Sequence, residues 1–328
     1  MSKIEIKDLY LIFGNEKQKA LKMLKEDKSK SEILKDTGCT VGVKNANISI
    51  NEGEFFVIMG LSGSGKSTLL RCINRLIRPT SGQVLVNGID ISKVSEKELL
   101  QVRRKELAMV FQNFGLLPHR SVLHNIAFGL ELQGVKKEER EKKAMESMKL
   151  VGLKGYENQM VGELSGGMQQ RARALANNPE VLLMDEAFSA LDPLIRVQMQ
   201  DELLALQSKM KKTIVFITHD LELALTIADR VVVFYAGETI EEAAAEDFQE
   251  EGRLRHPFTR ALFRAMPSHG FAPIRGSQPY PGTVSAGCPF AGQCKACQKE
   301  CGEADHIPVR QVRGGLVRCL YPEKEETV

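Results

Sequence analysis

A glycine-rich turn between an apolar run and a helix-forming run has the residue types and spacing that bind phosphate. Gly60, Gly65, Lys66 and Ser67 follow the spacing G-x-x-x-x-G-K-[ST], directly after FFVIM and before LLRCINRL. Glycines let successive backbone N–H groups point at one anion, and the N-terminus of the following helix adds its positive end. The pattern predicts a phosphate-binding loop made of Gly60, Leu61, Ser62, Gly63, Ser64, Gly65, Lys66, Ser67 and Thr68.

Three side chains in and near such a loop are expected to bind a nucleotide and its metal ion. Lys66 is expected to contact the β- and γ-phosphates of ATP, and the Ser67 hydroxyl to ligate Mg²⁺. Asp185, which follows the apolar run VLLM, is also expected beside Mg²⁺. Its neighbour Glu186 is predicted to be the general base on the attacking water. An isolated acidic pair at a strand end is more often only solvated, but the phosphate loop in the same chain favours catalysis.

A histidine and a glutamine also follow apolar runs. His219 follows TIVFIT, and ligands of open α/β sheets bind at the carboxyl ends of the strands. We therefore expect His219 to contact the γ-phosphate and to orient the water. Gln112, in MVFQNFGLLPH, is expected to sense Mg²⁺ and water while it tethers a moving helical segment.

Short apolar runs alternate with helix-forming segments from Val41 onward. Strands that are apolar throughout are buried on both faces, which is typical of a mainly parallel sheet covered by helices. Between about 115 and 170 the strand runs disappear, and KKEEREKKAMESMKLVGL has the pattern of an amphipathic helix. The prediction is an α/β protein with a helical subdomain inserted over about 115–170. Together with the phosphate loop this pattern resembles the P-loop NTPases of the RecA-like type, and that resemblance implies an additional antiparallel β edge.

The N-terminal segment precedes these runs. IEIKDLYLIF alternates apolar and polar residues and predicts an edge strand. In the Lys-rich segment that follows, Ser29 and Glu32 form a capping-box pattern, and Gly38 stands where a helix would end. We interpret this insertion as a solvated surface helix rather than a binding site.

The composition excludes several classes of protein. The 328 residues are 43% hydrophobic, enough for one large or two modest folded domains. Lys and Arg number 45 against 42 Asp and Glu, and the two signs are interspersed, which argues against a nucleic-acid partner. No run approaches the ~20 apolar residues that span a bilayer, and the N-terminus lacks the apolar core of a signal peptide. We therefore expect the chain in the cytoplasm.

The composition changes after about residue 250, where prolines, glycines and five of the seven cysteines gather. This change predicts a nucleotide-binding domain over 1–248 and a small, irregular, Cys-rich C-terminal appendix over 249–328. Clustered cysteines in a reducing compartment favour metal over disulfides.

Five motifs in a fixed order resemble one family of ATPases. GLSGSGKST, Gln112, LSGGMQQ, MDEAFSALD and His219 resemble the Walker A, Q-loop, signature, Walker B with D-loop, and H-loop of ABC ATPases. The signature and D-loop positions are Leu164, Ser165, Gly166, Gly167, Met168, Gln169, Ser189 and Asp192. The resemblance implies ATP and Mg²⁺ as ligands. It also implies a head-to-tail dimer with a second copy or a paralogous ATPase, in which one subunit's signature closes over the other's phosphate loop.

ABC ATPases usually stack an aromatic residue near the N-terminus on the adenine. The resemblance therefore makes Phe13 the candidate adenine contact, with Tyr10 as the less favoured alternative. A place in the core is the other interpretation of both residues.

The first two thirds of the chain resemble the ATPases of glycine betaine and proline importers. FVIMGLSGSGKSTLLRCINRLIRPTSGQV and MDEAFSALDPLIRVQMQDELLALQ carry this likeness, which covers about 3–218. It implies ATP-driven uptake of an osmoprotectant, with an integral membrane permease and a substrate-binding protein as partners. The chain would then be peripheral, at the cytoplasmic face of the plasma (inner) membrane. A soluble, non-transport ABC ATPase is the alternative from another class, disfavoured because the sequence shows no long coiled-coil insertion and no second ATPase half.

The remainder, about 219–328, is instead similar to ATPases of peptide and nickel importers. RHPFTRALFRAMP, GCPFAGQC and VRCLYP carry this likeness, so peptide or nickel import is the alternative function. Some members of that group hold an iron–sulfur cluster on four cysteines. The spacing C-x5-C-x6-C-x17-C selects Cys288, Cys294, Cys301 and Cys319 as ligands of a 4Fe-4S cluster or of Zn²⁺, with Cys297 as an extra and free buried thiols as the alternative.

The helix after the signature departs from the ABC pattern. The family reads LSGG-x-x-QRV-x-x-ARAL, whereas here Arg171 runs directly into ARAL, as though three residues were missing. Three residues are roughly 4.5 Å and ~300° of an α-helix. We expect reduced ATPase activity from a displaced signature, and a local adjustment that leaves function intact is the alternative.

Overall fold

The polypeptide folds as two units that each combine strands and helices. Unit 1 comprises Met1–Ile50, Phe55–Ser92 and Ile217–Val328, and unit 2 comprises Asn51–Glu54 and Lys93–Phe216. The structure is a computed structural model, and it describes residues 2–26, 28–110, 116–175, 179–186, 201, 204, 207, 212–274, 276, 278–279, 287–304 and 307–322. In these ranges no helix is long and apolar enough to cross a membrane.

The first part of unit 1 contains an antiparallel sheet. Its elements are β1 (Ser2–Phe13), α1 (Lys17–Lys25), α2 (Lys30–Thr37), β2 (Thr40–Asn51), β3 (Phe55–Met59), α3 (Lys66–Ile73), β4 (Ser81–Val86) and β5 (Ile89–Asp90). The strand order is β2-β1-β4-β5, and Ile4 of β1 lies opposite Val86 of β4. The prediction that the first strand is an edge strand is wrong, because β2 and β4 flank it. Alternation along one strand reports a buried face but not the strands that pair with it from far along the chain.

The Lys-rich insertion forms two packed helices. The second, α2, begins at the Ser29–Glu32 capping box and ends at Gly38, whose φ is +64°, as predicted. A small apolar cluster joins both helices to the adjoining strands: Ile12, Ala20, Leu21, Leu24, Ile33, Cys39 and Val41. Each helix buries one stripe of apolar residues and exposes most of its other side chains, so the insertion lies at the surface and comprises two helices rather than one.

Unit 2 contains the inserted helices and parallel strands. Its elements are α4 (Glu96–Lys105), β6 (Leu107–Val110), α5 (Val122–Leu132), α6 (Lys137–Leu150), α7 (Gly166–Leu175), β7 (Val181–Asp185) and β8 (Thr213–Thr218), the last two residues of β8 belonging to unit 1. Strands β6 and β7 are parallel neighbours, with Leu107 opposite Val181. Helices α5, α6 and α7 share an apolar core of Val122, Ile126, Ala127, Ala144, Met148, Val151, Leu153, Leu164 and Ala172. The predicted amphipathic helix is α6.

The C-terminal part of unit 1 extends a mixed sheet. Its elements are α8 (Leu221–Ile227), β9 (Arg230–Tyr235), β10 (Glu238–Ala244), α9 (Pro257–Arg264), α10 (Lys299–Glu303), β11 (Val309–Val312) and β12 (Gly315–Arg318). Within unit 1 the order is β11-β12-β10-β9-β3; β3 and β9 are parallel, and the other pairs are antiparallel. The hairpin β11–β12 thus continues the sheet that contains β3. The predicted α/β fold is confirmed.

Arg255 fixes this hairpin to the rest of unit 1. Its side chain is 1% exposed, forms ion pairs with Glu241 and Asp247, and donates to the carbonyls of Val312 and Arg313. Burying a guanidinium costs free energy unless its donors are paired. Here the donors are paired with Glu241 and Asp247 on one side and with the carbonyls of the β11–β12 turn on the other. One side chain therefore holds β10 and the β11–β12 turn in register.

Candidate nucleotide site

The predicted phosphate loop connects β3 and α3 in unit 1. Gly60, Gly63 and Gly65 have positive φ values of +150°, +75° and +102°. A Cβ at Gly60 would lie 2.1 Å from the carbonyl oxygen of Phe234, and one at Gly65 would lie 2.7 Å from that of Gly42. Both the backbone angle and the close approach of neighbouring backbone exclude a side chain at these two positions.

Lys66 folds back into the loop. Its Nζ donates to the carbonyls of Gly60 at 2.9 Å and Leu61 at 2.8 Å, and the residue is 4% exposed. Ser67 and Thr68 follow, half-buried, in the first turn of α3. An ammonium held beside a helix N-terminus is an anion-binding arrangement. The donor set fits the phosphates of a nucleotide, and the Ser67 hydroxyl has the oxygen chemistry that Mg²⁺ prefers.

Phe13 lies beside the start of α3. Its ring atom Cε2 is 2.7 Å from the position that a Cβ on Gly42 would occupy, and Cγ2 of Thr68 is 3.5 Å from the same position. The side chain of Phe13 is 41% exposed, whereas Tyr10 packs on the apolar cluster of α1 and α2. An accessible ring next to the phosphate loop suits the adenine contact predicted for Phe13, which stays a prediction.

His219 follows β8 in unit 1 and is exposed. The next residue, Asp220, caps α8: its carboxylate accepts from the N–H of Leu223 at 3.0 Å, and its own N–H donates to Thr218 Oγ1 at 2.9 Å. A strand end on one side and a helix cap on the other fix the backbone of His219. Its predicted contact with the γ-phosphate stays a prediction.

The two carboxylates of the predicted acidic site lie in unit 2. Asp185 ends β7 and is 8% exposed, and Glu186 follows it, half-buried, with φ at +47°. A non-glycine residue in this region costs of order 1–2 kcal/mol, and such strain collects at functional sites. A buried acid followed by a strained, accessible acid fits a metal-binding residue followed by a base.

The predicted signature surrounds the start of α7. Ser165 is exposed, and its Oγ accepts from the N–H of Met168 at 3.3 Å. Gln169 Nε2 donates to the carbonyls of Val161 at 3.0 Å and Leu164 at 3.2 Å, which fixes the turn before the cap. The signature thus presents an exposed hydroxyl at a helix N-terminus, an arrangement that suits a phosphate.

Helix α7 includes the point at which three residues are missing from the family pattern. It runs from Gly166 to Leu175, and Arg171 donates to the carbonyl of Val151 at 2.8 Å. Residues 176–178, which follow, lie outside the described residues, as do the predicted site residues Gln112, Ser189 and Asp192. The expected reduction of ATPase activity stays a prediction, and so do the roles of Gln112, Ser189 and Asp192.

The sequence patterns did not identify two buried charged residues that lie close to the phosphate loop. Lys30 is 3% exposed and donates to the carbonyl of Ala236, and Glu238, 4% exposed, pairs with Lys44 at 3.4 Å. A single lysine in a Lys-rich segment gives no sign of burial. Gly237, between two β-forming runs, is the one local signal of a turn at this place.

Four cysteines and a histidine line one pocket in the C-terminal part of unit 1: Cys288, Cys294, Cys301, Cys319 and His256. Cys297 is exposed and does not line it. Burial raises the pKa of the Cys288 and Cys294 thiols to about 12. In the described part of the chain, no three or more His, Cys, Asp or Glu side chains have the geometry of a metal site. The pocket gathers the four predicted ligands without placing them in ligating positions.

An α/β fold with Lys66 held inside a glycine loop at a helix N-terminus defines a P-loop nucleotide-binding protein. The family model described as ABC transporter matches residues 43–189. Over 260 residues the chain is 58% identical to the glycine betaine/carnitine transport ATP-binding protein of Listeria monocytogenes, covering 78% of this chain and 64% of that protein. It is 52% identical to the trimethylamine N-oxide transport system ATP-binding protein of Pelagibacter ubique, covering 71% of this chain and 69% of that protein. The chain therefore belongs to the ATP-binding proteins of ABC transporters.

Two further likenesses refine this assignment. The family model described as Oligopeptide/dipeptide transporter, C-terminal region, matches residues 240–301. The dimeric ATP-binding cassette MJ0796, solved in a post-hydrolysis state with ADP and Pi, superimposes with a TM-score of 0.60 at 33% identity, covering 74% of this chain and 98% of that chain. The predicted resemblance to glycine betaine importer ATPases is confirmed, and the predicted resemblance of about 219–328 to peptide importer ATPases is confirmed over 240–301. The likeness to the Listeria protein, at 260 residues, is longer than the predicted 3–218.

Proposed function

We propose that this chain is the ATP-binding subunit of an ABC importer and hydrolyses ATP to drive uptake of an osmoprotectant such as glycine betaine or proline. The observation that carries the proposal is a complete phosphate loop, with Lys66 held by the Gly60 and Leu61 carbonyls, in a chain 58% identical to a glycine betaine/carnitine transport ATP-binding protein. The chain spans 64% of the length of that relative, so activity, substrate and partners are all part of the proposal.

Each site residue has a separate role in the proposed hydrolysis. Lys66 and the N-terminus of α3 bind the β- and γ-phosphates. The Ser67 hydroxyl would ligate Mg²⁺ and Asp185 would lie beside it; the bound ion would offset the negative charge of the phosphates. Glu186 accepts a proton from the attacking water, and His219 orients that water. The products are ADP and inorganic phosphate.

The proposed assembly is a head-to-tail dimer with a second copy or a paralogous ATPase. Ser165 and the N–H groups after it bind the γ-phosphate on the partner subunit, so ATP joins the two subunits and hydrolysis releases them. A membrane permease and a substrate-binding protein complete the importer, with this chain peripheral at the cytoplasmic face. The division into 1–248, with a helical subdomain over about 115–170, and 249–328 belongs to the same proposal.

Uptake measurements test the substrate. The chain is co-expressed with a candidate permease and a candidate substrate-binding protein, in a strain that lacks osmoprotectant import. We expect ATP-dependent accumulation of labelled glycine betaine, and no accumulation when the chain carries Lys66→Ala. Accumulation of a labelled dipeptide or of nickel instead would replace the proposed substrate with the one that the C-terminal likeness favours.

We further propose that the cysteine-lined pocket holds a metal centre on Cys288, Cys294, Cys301 and Cys319. Support comes from the pocket itself, which includes these four thiols and leaves out Cys297. Four thiolates suit a 4Fe-4S cluster or Zn²⁺ and would add stability to a segment with few regular elements. Because burial raises the pKa of the Cys288 and Cys294 thiols, a bound cation would have to displace their protons.

Metal analysis of the full chain after anaerobic purification tests this site. We expect bound iron with inorganic sulfide and visible absorbance, or else bound zinc, in either case lowered several-fold by Cys288→Ser or Cys319→Ser. The matched control is Cys297→Ser, which leaves the metal content unchanged. A colourless wild-type chain that contains neither metal contradicts the proposal.

A further inference from the structure

The turn between β9 and β10 lies directly behind the phosphate loop. Ala236 and Gly237 form this two-residue turn, with φ at +48° and +87°. The N–H of Gly237 donates to the carbonyl of Ser64 at 2.8 Å, and the carbonyl of Gly237 accepts from the N–H of Lys44 at 2.8 Å. One residue, Gly237, therefore connects the phosphate loop to β2 through its own N–H and carbonyl.

Three glycine backbones meet at this place and form what we call the glycine junction: Gly42, Gly65 and Gly237. A Cβ on Gly65 would lie 2.7 Å from the Gly42 oxygen and 3.6 Å from the Gly237 Cα. A Cβ on Gly237 would lie 2.9 Å from the same oxygen. Because the three segments touch without intervening side chains, a shift of the turn displaces the phosphate loop.

The buried ammonium of Lys30 holds the outer side of the glycine junction. Lys30 comes from the first turn of α2, and its Nζ donates to the carbonyl of Ala236. The same Nζ is 3.1 Å from the position that a Cβ on Gly237 would take. Burying an ammonium is expensive unless it is hydrogen-bonded or paired, so this contact needs compensation nearby.

Glu238 provides that compensation. Lys44 Nζ lies 3.4 Å and Arg318 Nε 3.8 Å from its carboxylate oxygens, and Lys30 is also close enough to interact with it. Burial alone would raise the pKa of Glu238, but the three cations outweigh it and hold that pKa below its usual value. Burial lowers the pKa of Lys30 to about 8, with Glu238 opposing that shift and Lys44 adding to it.

We infer that Lys30 is a positioning residue for nucleotide binding, which acts by fixing the Ala236–Gly237 turn and, through it, the phosphate loop. The inference rests on the proposed function, because the loop must bind a nucleotide for its position to matter. The inference also assigns a role to the inserted helices α1 and α2, because α2 places the Lys30 ammonium against the Ala236–Gly237 turn. Lys30 touches neither the nucleotide nor the reacting atoms.

The test compares Lys30→Met with Lys35→Met in the full chain. Lys35 is an exposed lysine of the same helix, so the control removes the same charge without touching the glycine junction. Titration with a fluorescent ADP analogue should show about tenfold weaker binding for Lys30→Met, the size expected for losing a charged hydrogen bond, and no change for Lys35→Met. In steady-state assays the KM for ATP should rise while kcat stays within about twofold, because the hydrolytic residues are unaltered.

The pH dependence separates a positioning charge from a packing effect. The groups that face Lys30 are Glu238 of β10 and Lys44 of β2, and Arg318 of β12 faces the same carboxylate. Below pH 8 the wild-type ammonium is charged, and above it the charge is lost. The ratio of the dissociation constants of Lys30→Met and wild type should therefore fall toward one as pH rises through that value. A ratio that does not change with pH overturns the inference.

The outcomes distinguish this inference from the proposed function. If the wild-type chain binds no ADP analogue, the proposed function fails and the inference fails with it. If the wild-type chain binds and folded Lys30→Met binds equally well, the inference alone fails. If Lys30→Met does not fold, Lys30→Leu, which also lacks both the charge and the donor, replaces it, and the same pH-dependent ratio decides.

Discussion

Replacing Glu186 with Gln lowers the ATPase turnover of the full chain by about 10²- to 10⁴-fold, the range expected when a general base is removed. The amide has nearly the same shape as the carboxylate but cannot accept the proton of the attacking water. ATP binding should persist, because the contacts of Lys66 with the loop are unaltered. Phosphate release and equilibrium binding of a fluorescent ATP analogue measure the two effects separately.

The control for this variant is Glu146→Gln, an exposed glutamate of α6. It removes one carboxylate from unit 2 and should leave turnover unchanged. Undiminished hydrolysis in Glu186→Gln would end the assignment of this residue as the base. Equal losses in both variants would point to a general electrostatic effect instead.

Replacing Lys66 with Ala weakens nucleotide binding by roughly 10- to 100-fold, the range for losing a charged hydrogen bond to phosphate. The ammonium is held inside the loop by two carbonyls at 2.9 and 2.8 Å, so little order is lost when it meets an anion. Its removal also leaves those carbonyls without their cation. Isothermal titration with Mg-ATP and Mg-ADP measures the change.

Lys17→Ala, an exposed lysine of α1, is the matched control for Lys66→Ala. Both variants lose one positive charge from unit 1, so a difference between them reports the position of the charge. Comparable affinity in Lys66→Ala and wild type would contradict a phosphate site in this loop.

Motifs fixed in a short stretch of sequence could be predicted, because local chemistry decides them. The Ser29–Glu32 box starts α2 as expected, since a helix needs its first N–H groups satisfied. The phosphate loop after Met59 could be predicted because the spacing of Gly60, Gly65, Lys66 and Ser67 lies in one short segment. The pattern is local, although the backbone that leaves no space for a side chain at Gly60 and Gly65 comes from the distant residues Phe234 and Gly42.

Features made by distant segments could not be predicted. The position of β1 between β2 and β4 depends on strands that come later in the chain, and its alternation is the same at an edge or inside a sheet. The burial of Lys30 depends on a turn at Ala236, far along the chain. The strained φ of Glu186 gives no signal in the sequence, because a glutamate after an apolar run is also compatible with a relaxed backbone conformation.

The C-terminal region, which resembles a second transporter group, packs closely on the strands that precede it. The match to that group begins at residue 240, inside β10, and the Tyr235 ring of β9 packs on Phe258 and Phe290 from this region at 4.4 and 5.8 Å. Arg318 reaches back to Glu238, beside the turn that supports the phosphate loop. Recombination between the two lineages, in nature or in protein engineering, would therefore have to preserve an aromatic contact and an ion pair inside one sheet. Joining two sequences at a surface loop would not be enough.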